Sequence, residues 1–374
     1  MELTPLNILH ISAARNWGGG ENHIENLCFE LQDNPQVNNF IICVKSGTFH
    51  QRLQKTNVPF YTAPLANKMD IRFFLKIGAL CKKKKINLIH IHDTTALSLA
   101  VMADYFYDLP PFIFSKKTSF PIKNRKQTLF KYNYPKIKAI LCVSRITHDI
   151  TSQSIKDSAR LKVVYHGTRL DNKTSSTPFL LRKKLNLPPN KMIIGNIANH
   201  IRAKHIETLI GVADFLINQQ NRNDFFFVQI GSYTERTQDL QKKILALNLQ
   251  DHIKFLDFLP EASNYIPQFD ISLITSQSEG IPQVIYESFY HEVPVISTRV
   301  GGIPEVIVHG ENGYLTEKYD YCKIAEHIVS LSGDAELRKK FTSSSKKILL
   351  ENYTTERMAQ QTLEEYKAVV NGKS

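Results

Sequence analysis

A doubled alternation of short apolar runs and amphipathic helical patterns constrains this chain more than any other feature. Leu6 to Ser12, Asn39 to Lys45, Ile86 to His92, Pro111 to Ser115, Lys138 to Val143 and Lys162 to Tyr165 are rich in β-branched residues and lack strict polar alternation. The spacing predicts helices over Glu21 to Leu31, Ile71 to Lys82, Thr95 to Phe106 and Ile146 to Ile155. Strands without a polar face that alternate with helices belong to a parallel sheet covered on both sides, which here means one Rossmann-like domain. From Asp171 to Asn190 the chain turns polar and Pro-containing, a linker holding a short helix. The alternation then restarts, with strands at Met192 to Ile197, Phe225 to Ile230, Ile253 to Phe255, Ile271 to Thr275 and Pro294 to Ser297. Its helices fall at Ile206 to Asn218, Gln238 to Ala246 and Gln283 to His291, and three terminal helices follow, the last being Thr355 to Val370. A length of 374 residues suits two cores better than one. The expected organisation is an N-terminal domain over 1–171, a C-terminal domain over 172–354 and a closing segment over 355–374. Ligands of open α/β sheets bind at the carboxyl ends of strands, so the active site is expected between the two domains.

Composition narrows the function classes. No run approaches 18 apolar residues and the first residues lack a basic segment leading into an apolar one, so neither a membrane span nor a signal peptide is expected. The five cysteines are scattered and mostly lie within apolar runs, as buried thiols of a reducing cytoplasm do. The net charge of +12 is lopsided: up to Asp171 there are 24 Lys and Arg against 12 Asp and Glu, and 23 against 23 thereafter. No acid occurs between Asp108 and Asp149, where basic residues interleave with Phe112, Phe114, Phe120, Phe130, Tyr132 and Tyr134. That mixture suits an anionic membrane surface or a phosphorylated lipid, or simply a solvated basic face. No nucleic-acid-binding motif accompanies it, and nucleic acid is not expected as a partner.

The stretch from Ser278 to Phe289 carries the most chemistry. Its loop ends in Glu279-Gly280, and Pro282 suits the first helical position because its φ is fixed and it lacks an N–H. Glu279 and Glu287 are then on the order of 10 Å apart at 1.5 Å of rise per residue, too far to share a proton. They can instead hold two ends of a long ligand whose anionic middle lies at the helix N-terminus, the shape of a nucleotide sugar. Gly18, Gly19 and Gly20 follow the first strand and open the first helix, where backbone can approach a ligand closely. This is not the dinucleotide fingerprint, and no nicotinamide cofactor is inferred. His90 and His92 project to one face of their strand. No Asp-x-Asp occurs to hold a metal-bound diphosphate, so cationic side chains should serve the leaving group.

Three motifs in order connect the chain to a family. Glu279 with Glu287, Val300-Gly301-Gly302-Ile303-Pro304-Glu305, and His309-Gly310-Glu311-Asn312-Gly313-Tyr314-Leu315 resemble the three signatures of the retaining glycosyltransferases of family 4, which have the GT-B fold. The resemblance covers nearly the whole chain and implies two Rossmann-like domains facing across a cleft, with the last helix crossing back to the first domain. It implies that Glu279 contacts the donor hexose, that Glu287 holds the ribose, and that His92 lies against the donor sugar and diphosphate, His90 being structural. It places Gly18, Gly19, Gly20, Arg202, Lys204, Gly280, Ile281, Gln283 and Val284 among the donor-binding positions, and Ser144 and Gly167 near the cleft and hinge. Lys204 matches the family lysine of the diphosphate site, but Asn199 stands where an arginine is usual, so Arg202 is expected to supply the second charge. Gly231-Ser232-Tyr233 and Asp257 also depart from the family's pattern near the base; family frequency favours UDP.

The expected function is a cytoplasmic, metal-independent transferase without a cofactor. It would move a hexose-type unit from a nucleotide sugar to a glycan or lipid-linked acceptor with retention, in bacterial lipopolysaccharide, capsule or envelope polysaccharide synthesis. Peripheral contact with the inner face of the membrane would follow from the basic N-terminal half. A sugar-nucleotide epimerase of similar architecture and a catalytically silent partner subunit are the alternatives.

Overall fold

The computed structural model describes residues 5–170 and 176–372. The stretch 171–175 of the expected linker lies outside the described residues. Residues up to Gly167 together with those from Thr354 onward form one compact unit, and Thr168–Tyr353 form a second.

The first unit is built on strands β1 (Leu6–Ile11), β2 (Val37–Val44), β3 (Phe60–Ala63), β4 (Leu88–Ile91), β5 (Phe112–Lys116), β6 (Ile137–Cys142) and β7 (Leu161–Val163). All pairings are parallel, in the order β3-β2-β1-β4-β5-β6-β7. Sequence neighbours β1 and β2 lie side by side while β4 pairs with the other edge of β1, so strand order reverses between β1 and β4. One face of this sheet is covered by the helix Ile71–Lys83, through Phe73, Phe74, Ile77 and Leu80, and by Leu97, Leu99 and Ala100 of the helix Thr94–Asp104. The other face buries Ile8, Leu88, Ile113 and Ala139 beneath Leu27 of the helix Gly19–Glu30 and Met358, Leu363, Tyr366 and Val369 of the last helix, Thr355–Val370. The last helix thus completes the core of the unit in which the chain began. Thr355 Oγ1 donates to Glu30 at 2.6 Å, and the backbone of Thr354 lies so near Gly167 that a Cβ there would stand 2.3 Å from its carbonyl oxygen.

The second unit holds β8 (Met192–Ile197), β9 (Phe225–Ile230), β10 (Ile253–Phe255), β11 (Ile271–Ile274), β12 (Val295–Thr298) and β13 (Tyr314–Thr316). The order is β10-β9-β8-β11-β12-β13, again parallel throughout, and the reversal falls between β8 and β11. Its core joins Ile194, Phe225, Phe227 and Leu273 to Leu209, Ile210 and Val212 of the helix Ile206–Asp214.

The periodicity located eleven of these thirteen strands and missed β3 and β13, each at one edge of its sheet, while finding β7 and β10 at the other edges. The two that were missed run for four and three residues and include Thr62 and Thr316, which leaves little apolar run to stand out. Pro282 is not the first helical residue: it has φ −73° and ψ 136° and precedes the helix Gln283–Tyr290. A position with extended ψ still suits proline, because its φ is the same in both settings. The helix expected to reach Asn218 is α-helical to Asp214 and closes in a single π turn, Phe215–Gln219.

Candidate active site

In the first unit Gly18, Gly19, Gly20 and His92, and in the second Arg202, Lys204 and Glu279, follow the carboxyl ends of the two strands between which strand order reverses. This is where an open parallel sheet leaves a crevice, because the following connections turn in opposite directions.

In the second unit the segment after β8 makes a single 3-10 turn, Arg202–Lys204, and the segment after β11 runs over it. Gln277 N donates to Ala203 O at 2.8 Å, Gln277 Nε2 to Arg202 O at 2.6 Å, and Thr275 Oγ1 to Lys204 O at 3.0 Å. These bonds bring Lys204 Nζ to 2.5 Å from Glu279 Oε1, an ion pair whose side chains are 24% and 11% exposed. Ser276 Oγ donates to the same oxygen at 2.6 Å. The sequence assigned Lys204 to the diphosphate and Glu279 to the hexose; in the folded chain they touch. An anion bound here would compete with Glu279 for Lys204, and the carboxylate would then be released toward hydroxyl groups. Arg202 is exposed on the same turn. Ile281 and Val284 are buried, whereas Gln283 and Glu287 are half-buried on the first two turns of the helix.

The second signature sits under the first. Gly302 N donates to Gly280 O at 2.8 Å. Gly301 has φ +54°, and a Cβ on it would lie 1.8 Å from the carbonyl oxygen of Glu279. Only glycine permits both the left-handed backbone and this approach. Gly301→Ala is therefore expected to displace the Glu279 loop, at a cost of at least about 1 kcal/mol from the backbone alone. It should lower the thermal midpoint in calorimetry and reduce turnover together; an unchanged midpoint with unchanged turnover would show that the contact is dispensable.

The third signature is scaffolding. Val308 N donates to Asn312 Oδ1 at 2.7 Å, Asn312 Nδ2 to Val306 O at 3.0 Å, and Leu315 N to His309 Nδ1 at 3.0 Å, closing a turn into the edge strand β13. The departures from the family's pattern at Asn199 and Asp257 have structural partners. Asn199 Oδ1 accepts from Ser232 N at 2.9 Å, and Asp257 Oδ1 accepts from Tyr233 N at 3.0 Å, so these side chains tie the loops after β8, β9 and β10 together. Asp257 has φ +30°, the backbone region that favours glycine.

In the first unit Gly18 caps the helix Gly19–Glu30, and Gly19 and Gly20 form its first turn, with open space where a Cβ on Gly19 would stand. Glu21, one residue on, is buried; desolvation raises its pKa, and its Oε1 accepts from Ser12 Oγ at 3.2 Å. His92 stands one residue beyond β4, its N–H still in the ladder to Ile11 O at 3.1 Å. Asp93 accepts from Thr95 N and Ala96 N, capping the next helix, and from Ala13 N at 2.7 Å, which fixes the loop after β1. Ser144 is likewise a buried helix cap, accepting from Thr147 N at 3.2 Å.

Sequence reasoning missed the setting of His92. His10, His23, His90 and His92 are all buried, and His166 stacks on His23 at 4.4 Å. His90 and His92 share a face, with ring centroids 4.0 Å apart. His90 is bonded at both nitrogens, to Tyr366 Oη at 2.6 Å and Ser115 Oγ at 2.8 Å, and so fastens the last helix to the sheet. Desolvation, reinforced by the Lys117 charge, holds His10 down to about 4, His166 to about 3, and His23, His90 and His92 well below the usual imidazole range. His10, His90 and His92 could each offer a nitrogen within 4.8 Å of the others. Both nitrogens of His10 and of His90 are engaged by side chains and His92 faces an ammonium, so the group is arranged for hydrogen bonding rather than for a cation.

The basic stretch of the first unit is sorted by the fold. Phe112, Phe114, Tyr132 and Tyr134 belong to the core, while Phe120 and Phe130 are 61% and 51% exposed beside exposed Lys123, Arg125 and Lys126. Among the described residues no helix is long and apolar enough to cross a membrane.

Two family models match the chain in succession, Glycosyltransferase Family 4 over residues 17–172 and Glycosyl transferases group 1 over residues 179–348. The N-acetyl-alpha-D-glucosaminyl L-malate synthase of Bacillus anthracis is 26% identical over 235 residues, 62% of this chain and 60% of that enzyme. The UDP-Gal:alpha-D-GlcNAc-diphosphoundecaprenol alpha-1,3-galactosyltransferase of Escherichia coli is 22% identical over 83% of this chain and 84% of its own length. Among solved structures, Anabaena HepE in complex with UDP-glucose superposes with a TM-score of 0.82 at 19% identity, over 97% of this chain and all of that one (100%). With both halves matched in order and both sheets of the expected kind, the chain belongs to the glycosyltransferases of family 4, built on the GT-B fold.

Proposed function

We propose that this protein moves a hexose-type unit from a UDP-sugar to a hydroxyl of a glycan or lipid-linked acceptor, with retention and without a metal, in bacterial envelope polysaccharide synthesis. The observation that carries the reading is the Lys204–Glu279 pair at the reversal point of the second sheet. The leaving diphosphate gains charge as the bond from the anomeric carbon to its oxygen breaks, and Lys204, with Arg202 on the same turn, is positioned to meet that charge. Glu279 then holds the hexose hydroxyls and Glu287 the ribose. The acceptor oxygen bonds to the anomeric carbon on the face the diphosphate leaves, and the departing phosphate oxygen takes the acceptor proton, so no protein base is required. The UDP-glucose complex of HepE supports a UDP-sugar donor, and the name of the Escherichia coli relative supports a lipid-diphosphate acceptor. Exposed Phe120 and Phe130 among Lys123, Arg125 and Lys126 support contact with an anionic bilayer at the inner face of the membrane.

Incubation with a panel of nucleotide sugars, with and without a membrane extract, tests this by mass spectrometry of released nucleotide and sugar isomers. Acceptor-dependent release of UDP is the expected result. Isomerisation without acceptor would make the protein an epimerase, and neither product would make it a silent partner subunit.

A further inference from the structure

We propose that Lys117 is a positioning residue that holds His92 as a neutral imidazole in one tautomer, Nδ1 bare and Nε2 protonated. Lys117 follows β5 and directs its Nζ to Gly20 O at 2.9 Å and to His92 Nδ1 at 3.3 Å. An ammonium has donors and no acceptor, so Nδ1 of His92 must accept and its proton must sit on Nε2. His92 Nε2 lies 3.0 Å from His10 Nδ1, which must then accept. That leaves the proton of His10 on Nε2, 3.0 Å from Asn39 Oδ1, a carbonyl acceptor. Each role is dictated by the one before it, and the chain from Lys117 through His92 and His10 to Asn39 closes without a clash. Run in the opposite sense it would set an Nδ1–H against the ammonium. A doubly protonated His92 would do the same, and the desolvation already described opposes it.

The consequence is chemical. His92 so held has no exchangeable proton free and no unengaged lone pair, so it is neither a general acid nor a general base but a fixed dipole. The same ammonium bonds the carbonyl of Gly20, so the glycine loop after β1, the end of β4 and the end of β5 are set by one side chain. The groups facing Lys117 are Glu21 on the first helix, Asp93 after β4, and His10, His23, His90, His92 and His166. Burial, opposed by Glu21 and Asp93, brings Lys117 down to about 8. The importance of the lock for turnover rests on the reading that His92 lies beside the donor; the tautomer itself does not.

The test is long-range proton–nitrogen NMR of the full-length protein labelled with 15N-histidine, His92 being assigned from the spectrum of His92→Gln. At pH 7 the wild type should show Nδ1 bare and Nε2 protonated at His92. Lys117→Met should abolish that single pattern and Lys117→Arg should retain it. A protonated Nδ1 in the wild type, or an unchanged His92 pattern in Lys117→Met, would overturn the proposal. Should Lys117→Met not fold, the wild-type spectrum at pH 7 decides by itself: a single Nδ1-bare pattern at His92 is the state the ammonium imposes, and an averaged or Nδ1-protonated pattern would count against the lock. With a donor in hand, Lys117→Met should lower kcat about tenfold and leave donor KM within about twofold, the mark of a lost transition-state contribution. An altered tautomer with unchanged kcat would overturn the positioning role. A wild type that turns over no nucleotide sugar would sink the proposed function and leave the NMR result to stand or fall separately.

Discussion

Acidification from pH 7 to pH 5 is expected to drive the urea midpoint of the first unit steeply downward. His10 is wholly buried with its pKa held down to about 4, and His23, His90 and His92 are buried with theirs well below the usual value. In the unfolded chain each titrates near the ordinary imidazole value of about 6.5. Above that pH neither state binds the proton and these groups contribute nothing. As pH falls below it, the unfolded state takes up protons that the native state refuses, so stability is lost until the native pKa is reached. His10 alone accounts for about 2 kcal/mol at pH 5, and the other buried histidines act in the same direction. Trp17 is the only tryptophan and packs on Phe49 with ring centroids 5.8 Å apart within this unit, so its fluorescence reports the transition directly. Equal urea midpoints at pH 7 and pH 5 would mean that the histidines are not held neutral in the native protein.

Lys204→Ala is expected to reduce sugar transfer by a factor on the order of a thousand, the scale for removing a group that meets developing charge. The pair it breaks lies at the mouth of the second sheet with both side chains partly in solvent, so the fold should survive. Glu279 keeps its bond from Ser276. The loss should therefore appear in kcat and not in the thermal midpoint. Combined with Glu279→Gln, the effects should not add, because each residue sets the position of the other. Unchanged turnover in Lys204→Ala, or strict additivity in the double variant, would remove Lys204 from the reaction.

Most of the architecture was legible because it depends on local patterns. Two series of apolar runs alternating with helices require two covered parallel sheets whatever the details. Glu279 and Lys204 were singled out as well, through the family resemblance. Their direct contact was not legible, since it depends on β8 and β11 being neighbours while β9 and β10 lie on the other side. No spacing in the chain states that order. The same holds for Asn199 and Asp257, which looked like losses from a binding site and prove to be ties between loops. The basic and aromatic stretch misled in the other direction, because four of its six aromatic residues belong to β5 and the core packed on it.

His92 marks the division most clearly. By itself the sequence determined that His92 stands at the end of a strand on the same face as His90, because side chains alternate along a strand. Only the tertiary structure decided what surrounds it: His10 from β1, His23 from the first helix, Lys117 from the end of β5, and Tyr366, 276 residues from His90 in sequence, reaching His90 from the last helix. Protonation state and tautomer follow from burial and from which atoms donate, and those are fixed by strand order and helix packing rather than by any local run of residues.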